Sequence, residues 1–175
     1  CAHKNGYARI QVTYDARGNM TARRFYGTDG KLVLMNGLYA ACAWEYNDCN
    51  EVVGQTFFDE QMEPIRVVSV ISSVGIFAGF PASRAGVQVD DVWCEFGVYR
   101  LRDDGDFRAV FSSLRENAQN EKRLIVARKV EDGYKILSFD FPAGPMGIRI
   151  QDKQVNGHDF EKIQKAYREY VDKGK

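Results

Sequence analysis

The stretch Phe80-Pro81-Ala82-Ser83-Arg84-Ala85-Gly86-Val87-Gln88-Val89-Asp90-Asp91-Val92 decides how the second half of this 175-residue chain is read. Pro81 stands where a first-turn N–H has no intrahelical partner, and Gly86 can take the left-handed conformation that ends a helix. Asp91 can hydrogen-bond the turn backbone before an apolar strand begins at Val92. The pattern is a one-turn helix leading into a strand.

Working outward, residues 65–71 are nearly all β-branched or apolar and predict a buried strand ahead of this helix. Ser72-Ser73-Val74-Gly75-Ile76-Phe77-Ala78-Gly79 then forms a long connection, expected either to pack against a neighbouring sheet or to cover an apolar groove. Val92-Trp93-Cys94-Glu95-Phe96-Gly97 predicts a strand and turn. After Asp106, a good N-cap, Phe107, Val110, Phe111 and Leu114 fall on one face of a helix over residues 107–117. Residues 123–130 and 136–141 predict two more strands. Pro142-Ala143-Gly144-Pro145-Met146-Gly147-Ile148 is a sharp turn into Arg149-Ile150-Gln151. From Asp159 a last amphipathic helix carries Phe160, Ile163, Tyr167, Tyr170 and Val171 on one face, expected to dock on its own domain. A dimer contact or a link to a further domain is the alternative.

Residues 65–155 resemble a bacterial PDZ domain, with the helix-strand signature as the strongest part of the likeness; where that family usually has a glycine before the aspartate this chain has Asp90, so the resemblance implies a left-handed position, which Asp tolerates better than most residues. Met146-Gly147-Ile148 stands where that family has its Gly-Leu-Gly-Phe-like loop, but late in the chain, so the resemblance is to a circularly permuted member. It implies a partly open β-barrel that binds a protein or peptide with an apolar C-terminus. Met146, Gly147 and Ile148 would donate backbone N–H groups to the terminal carboxylate, and the peptide would add a strand alongside residues 147–153. Ile150, Phe107, Phe111 and Leu114 would line its groove, favouring an apolar last residue and an apolar residue two before it. The alternative for the helix stripe is plain core packing.

The first third is a repeat. Tyr7-Ala8 recurs as Tyr39-Ala40, Tyr14 as Tyr46 and Phe25 as Phe57, without a gap. Ala8, Ile10, Val12 and Tyr14 alternate with Arg9, Gln11 and Thr13, the period of a strand buried on one face. The second unit repeats this with Ala40, Cys42, Trp44 and Tyr46. Asp15-Ala16-Arg17-Gly18-Asn19 and Thr28-Asp29-Gly30-Lys31 supply turns, so each unit predicts a β-hairpin. Residues 5–64 resemble the tyrosine-aspartate-glycine-asparagine hairpin repeats of large bacterial surface and multidomain proteins. The chain is expected to begin inside a preceding repeat, which implies neighbouring domains in a longer parent chain. The fold class expected overall is mainly β with few helices (α+β): hairpin repeats over residues 1–64, a PDZ-like domain over 65–155 and a C-terminal helix over 156–175.

Composition excludes several classes of partner and chemistry. A hydrophobic fraction of 45% supports an ordinary core, and 24 basic against 24 acidic residues leave no field to attract nucleic acid or an acidic membrane surface. No apolar run is long enough to insert in a membrane. Cys1, Cys42, Cys49 and Cys94 lack paired spacing, and with two histidines they make no ligand set, so no metal or other cofactor is expected. The histidines, His3 and His158, sit in no catalytic motif, and no glycine-rich phosphate loop follows a strand. The chain is expected to be a binding module and not an enzyme. Two alternatives remain open: a non-catalytic regulatory or substrate-presenting segment of a larger protease, and a purely structural domain.

Overall fold

The period of the first third is carried into the backbone. The structure is a computed structural model, described here for residues 3–97, 99–101, 110 and 120–174. Strand β1 (Arg9–Tyr14) pairs antiparallel with β2 (Met20–Tyr26), and the hairpin recurs as β3 (Ala41–Tyr46) with β4 (Val52–Phe58). Even the irregularity recurs, since the register shifts between Thr13 and Tyr14 and again between Glu45 and Tyr46. With the short β5 (Pro64–Ile65) the sheet order is β1-β2-β3-β4-β5.

The turns repeat through one side-chain device. Asp15 Oδ1 accepts the N–H groups of Arg17 (2.9 Å) and Asn19 (2.8 Å). Asn47 does the same for Cys49 and Glu51, and Asp59 for Gln61 and Glu63, all at 2.9 Å. Asx side chains thus replace backbone as turn formers. Between hairpins the rings of Tyr7, Phe25, Tyr39 and Phe57 follow one another at 5.1, 6.0 and 4.6 Å, a ladder built by the repeat itself. One expectation fails on β1: Ile10 is 41% and Tyr14 62% exposed, whereas Cys42, the counterpart of Ile10 in the second unit, is buried. β3 has a strand on both sides and β1 stands at the sheet edge, so the same alternation buries less there.

Two compact units divide the chain, Cys1–Val67 with Val155–His158, and Val68–Gln154 with Asp159–Lys175. The second holds a sheet of order β10-β9-β7-β6-β11, formed by β10 (Gly133–Phe141), β9 (Lys122–Val130), β7 (Val92–Phe96), β6 (Val67–Ile76) and β11 (Ile148–Asn156). The short β8 (Tyr99–Arg100) pairs with β7. The whole is an α+β fold, mainly β, with antiparallel sheets that do not close into a barrel among the described residues.

Strand β6 runs five residues beyond its expected end. The serines that interrupt the apolar pattern are accommodated inside: Ser73 is fully buried and its Oγ accepts the Trp93 indole N–H at 3.0 Å. Residues 72–76 are therefore strand and not connection, with Ile76 against the core and Phe77 54% exposed.

Helix α1 (Pro81–Ala85) has Pro81 in its first turn and ends on Gly86 at φ 88°. Asp90 takes φ 72°, the left-handed position that the resemblance implies. Asp91, 1% exposed, accepts the Gln88 N–H at 2.9 Å and receives Arg128 in a fork, Nε to Oδ1 at 2.8 Å and an Nη to Oδ2 at 2.7 Å. Arg128 also reaches the Gly86 carbonyl at 2.8 Å, so one guanidinium ties β9 to the end of the helix signature. The core gathers Ile71, Trp93, Phe96, Leu124, Val126 and Phe141 around Ala82. Helix α2 (Gly157–Asp172) starts two residues before Asp159, and Phe160 and Ile163 are buried. The Tyr167 hydroxyl donates to Glu95 at 2.6 Å, so this helix docks on its own unit. Among the described residues no helix is long and apolar enough to cross a membrane.

Candidate functional site

The turn between β10 and β11 is held by α1 and the segment that precedes it. The Met146 carbonyl accepts the Ala82 N–H at 3.0 Å and the Gly147 carbonyl accepts the Phe77 N–H at 2.9 Å. Both carbonyls are thereby committed to the protein. The N–H groups of Met146 and Gly147 donate to no group among the described residues. Gly147 makes this path possible: its φ is 77°, and a Cβ placed on it would lie 2.2 Å from Cβ of Phe80. Only a residue without a side chain allows both the left-handed turn and the approach.

The side chains of the turn point into the fold. Met146 is 7% exposed within the core, and Ile148 and Ile150 are half-buried against it. Of the residues expected to form a carboxylate loop and groove, Met146, Gly147, Ile148 and Ile150 are therefore contiguous along one turn and strand. Phe107, Phe111 and Leu114 lie outside the described residues. Val110, from the same expected stripe, is helical and fully buried in the core. Strand β11 has β6 on one side and, among the described residues, no strand on the other.

Sequence reasoning missed Lys122. It opens β9 directly opposite Phe141, the last residue of β10, which aims its amine at the turn that follows. The residue is 7% exposed, and its Nζ donates to the Gly144 carbonyl. No carboxylate among the described residues lies within ion-pair distance of it. Burial alone pulls its pKa below the usual lysine range. A lysine at the head of an apolar strand looks like an ordinary solvated end, and only the pairing with Phe141 reveals otherwise. Phe80, which braces Gly147, was likewise legible only once the loop was folded against it.

Other chemistries find little support in the geometry. Burial pushes the Cys94 thiol far above its usual range, and Cys42 shifts the same way, so neither is an activated nucleophile. Among the described residues no three His, Cys, Asp or Glu side chains are grouped to hold a metal ion. The cleft beside Lys122, bounded by Glu95, Gly97, Glu121 and Arg123, encloses about 190 Å³, below the size of ordinary small-molecule sites. The site is a pair of backbone donors heading a strand edge that no other strand pairs among the described residues. In comparisons with known proteins, no family model matches this chain and no curated protein matches it.

Proposed function

We propose that this chain is a protein-interaction module that binds C-terminal or extended peptides by β-strand addition, through a circularly permuted PDZ-like domain carried behind hairpin repeats. The observation that carries this is that two N–H groups, at Met146 and Gly147, donate to nothing among the described residues and head β11, whose outer edge pairs with no described strand. Convergent backbone donors bind a carboxylate, and an open strand edge binds extended backbone. An incoming peptide would place its terminus at the turn and run along β11, its alternate side chains meeting the surface near Ile148 and Ile150. A micromolar complex corresponds to about 8 kcal/mol, in keeping with one short strand after its ordering cost.

The test is a screen of the purified chain against random C-terminal peptides, repeated with the peptides amidated and with Phe111→Asp. Capture of apolar-ended peptides that weakens with both changes supports the proposal. A folded sample that captures none sinks it and leaves a structural domain.

A further inference from the structure

The chain contains one seam between two hairpins, and each half of that seam recurs at an edge of the same sheet. β2 takes β3 alongside it with Ala22 opposite Ala43, Arg23 opposite Cys42 and Arg24 opposite Ala41. The Tyr46 hydroxyl reaches across to donate to the Met20 carbonyl at 3.0 Å, and the rings of Phe25 and Tyr39 meet at 6.0 Å. At the repeat offset β3 corresponds to β1, and β2 to β4. On the β1 side Ile10 and Tyr14, the counterparts of Cys42 and Tyr46, are exposed, and the Tyr14 hydroxyl has no partner among the described residues. On the β4 side Val52, the counterpart of Met20, is exposed, as are Val53, Gln55 and Thr56. β5 does not fill this seat, because it pairs only with Phe57 and Phe58. The first repeat makes the same contact between Tyr26 and Leu32, and β3 still lies alongside β2 there.

We infer that these two edges are complementary and that the hairpin sheet is a head-to-tail association surface whose partner is a second copy of this chain: β1 of one copy seats on β4 of the next. Carried over from the internal seam, the register sets Gln11 opposite Gly54, Ile10 opposite Gln55 and Arg9 opposite Thr56, with the Tyr14 hydroxyl donating to the Val52 carbonyl. Backbone pairing supplies the affinity, as in any strand addition, and covers two edges that are otherwise templates for indiscriminate pairing. The two copies contribute different edges, so the contact is heterologous and a pair keeps one free edge at each end. The surface uses no residue of the peptide site proposed above.

The experiment is sedimentation velocity over rising protein concentration. The wild type should associate reversibly and grow past a dimer. Thr56→Lys sets a like charge opposite Arg9 and should weaken association roughly twofold to fivefold, whereas Thr56→Glu should tighten it by a similar factor. The tightening covers failure of a variant to fold, since a misfolded chain does not gain register-specific affinity. Ile10→Lys blocks the β1 edge and Gln55→Lys the β4 edge, and each alone should associate at least roughly tenfold more weakly, the effect of seating a charge in the seam. Mixed together they should form a 1:1 complex that grows no further, because each supplies the edge the other lacks. A wild type that stays monomeric up to millimolar concentration overturns the inference. Equal affinities for Thr56→Lys and Thr56→Glu overturn the register and with it the seam as template. Self-association of either edge variant at wild-type strength overturns the head-to-tail arrangement, as does a mixture that forms no complex.

Discussion

Gly147 packs its backbone against the Phe80 side chain so closely that any Cβ there would overlap it, at 2.2 Å from Phe80 Cβ and 2.5 Å from its Cγ. Gly147→Ala faces two costs, the left-handed backbone at about 1–2 kcal/mol and a clash with a fixed aromatic at a further 1–3 kcal/mol. It should lower stability in urea unfolding and abolish peptide capture, since the turn must move. Adding Phe80→Ala relieves the clash but not the backbone strain, so the double variant should recover part of the loss. Full recovery would show that the φ of 77° is unimportant.

Asp91 and Arg128 hold the helix signature to the sheet, with the carboxylate 1% exposed. Removing one partner of a buried pair costs about 3–5 kcal/mol because the other charge is left without compensation. Arg128→Met should therefore be severely destabilising in thermal unfolding. Arg128→Met with Asp91→Asn should be milder than the sum of the two single variants. Strict additivity would mean that the fork contributes no coupling.

The hairpin turns offer a gain. Their left-handed position is Gly18 and Gly30 in the first repeat but Asn50 and Met62 in the second, with Met62 at φ 64°. Methionine has neither the freedom of glycine nor a short polar side chain to ease this conformation. Met62→Gly should stabilise the first unit by about 1 kcal/mol, read as a higher urea midpoint with unchanged slope. Asp59→Ala should act oppositely by freeing the N–H groups of Gln61 and Glu63 that its Oδ1 now accepts.

These cases show what a linear pattern holds. The repeat was legible because the turn chemistry, the alternation and the ring ladder each recur locally, and every strand boundary in the second hairpin follows the first. The positions of Pro81, Gly86 and Asp90 were legible because each solves a backbone problem of its own. The extension of β6 was hidden, since Ser72 and Ser73 look like a strand's end until Trp93 provides Ser73 with a donor. Periodicity also marks a face without saying whether anything covers it, as the exposed Ile10 and Tyr14 show. Lys122 was hidden for a similar reason, because its burial depends on Phe141 across the ladder and on the turn beyond.

Alkaline pH should strain the docking of α2. Burial, with the nearby Asp159 carboxylate, raises the Tyr134 hydroxyl to about 12, and burial with Glu95 raises Tyr167 in the same direction. An acid whose folded pKa is raised keeps its proton longer when folded. The stability it contributes is complete below the unfolded tyrosine value of roughly 10 and is lost as pH climbs toward the folded value. Urea midpoints should fall from about pH 10 upward. Tyr167→Phe, which cannot ionise, should lose less over that interval than the wild type, and an identical decline would separate Tyr167 from the effect.

Lys122 should give the opposite slope. Burial disfavours its charged form, so the folded chain holds this proton less firmly than the unfolded chain does. Below the folded pKa both states carry the charge and the full penalty is present. As pH rises from the folded pKa to the usual lysine value, the unfolded state binds more protons and stability climbs. The wild type measured against Lys122→Met cancels the tyrosines and isolates this term. The stability deficit of wild type relative to the variant should narrow as the solution becomes alkaline. A deficit that ignores pH would mean that the Lys122 amine reaches water in solution.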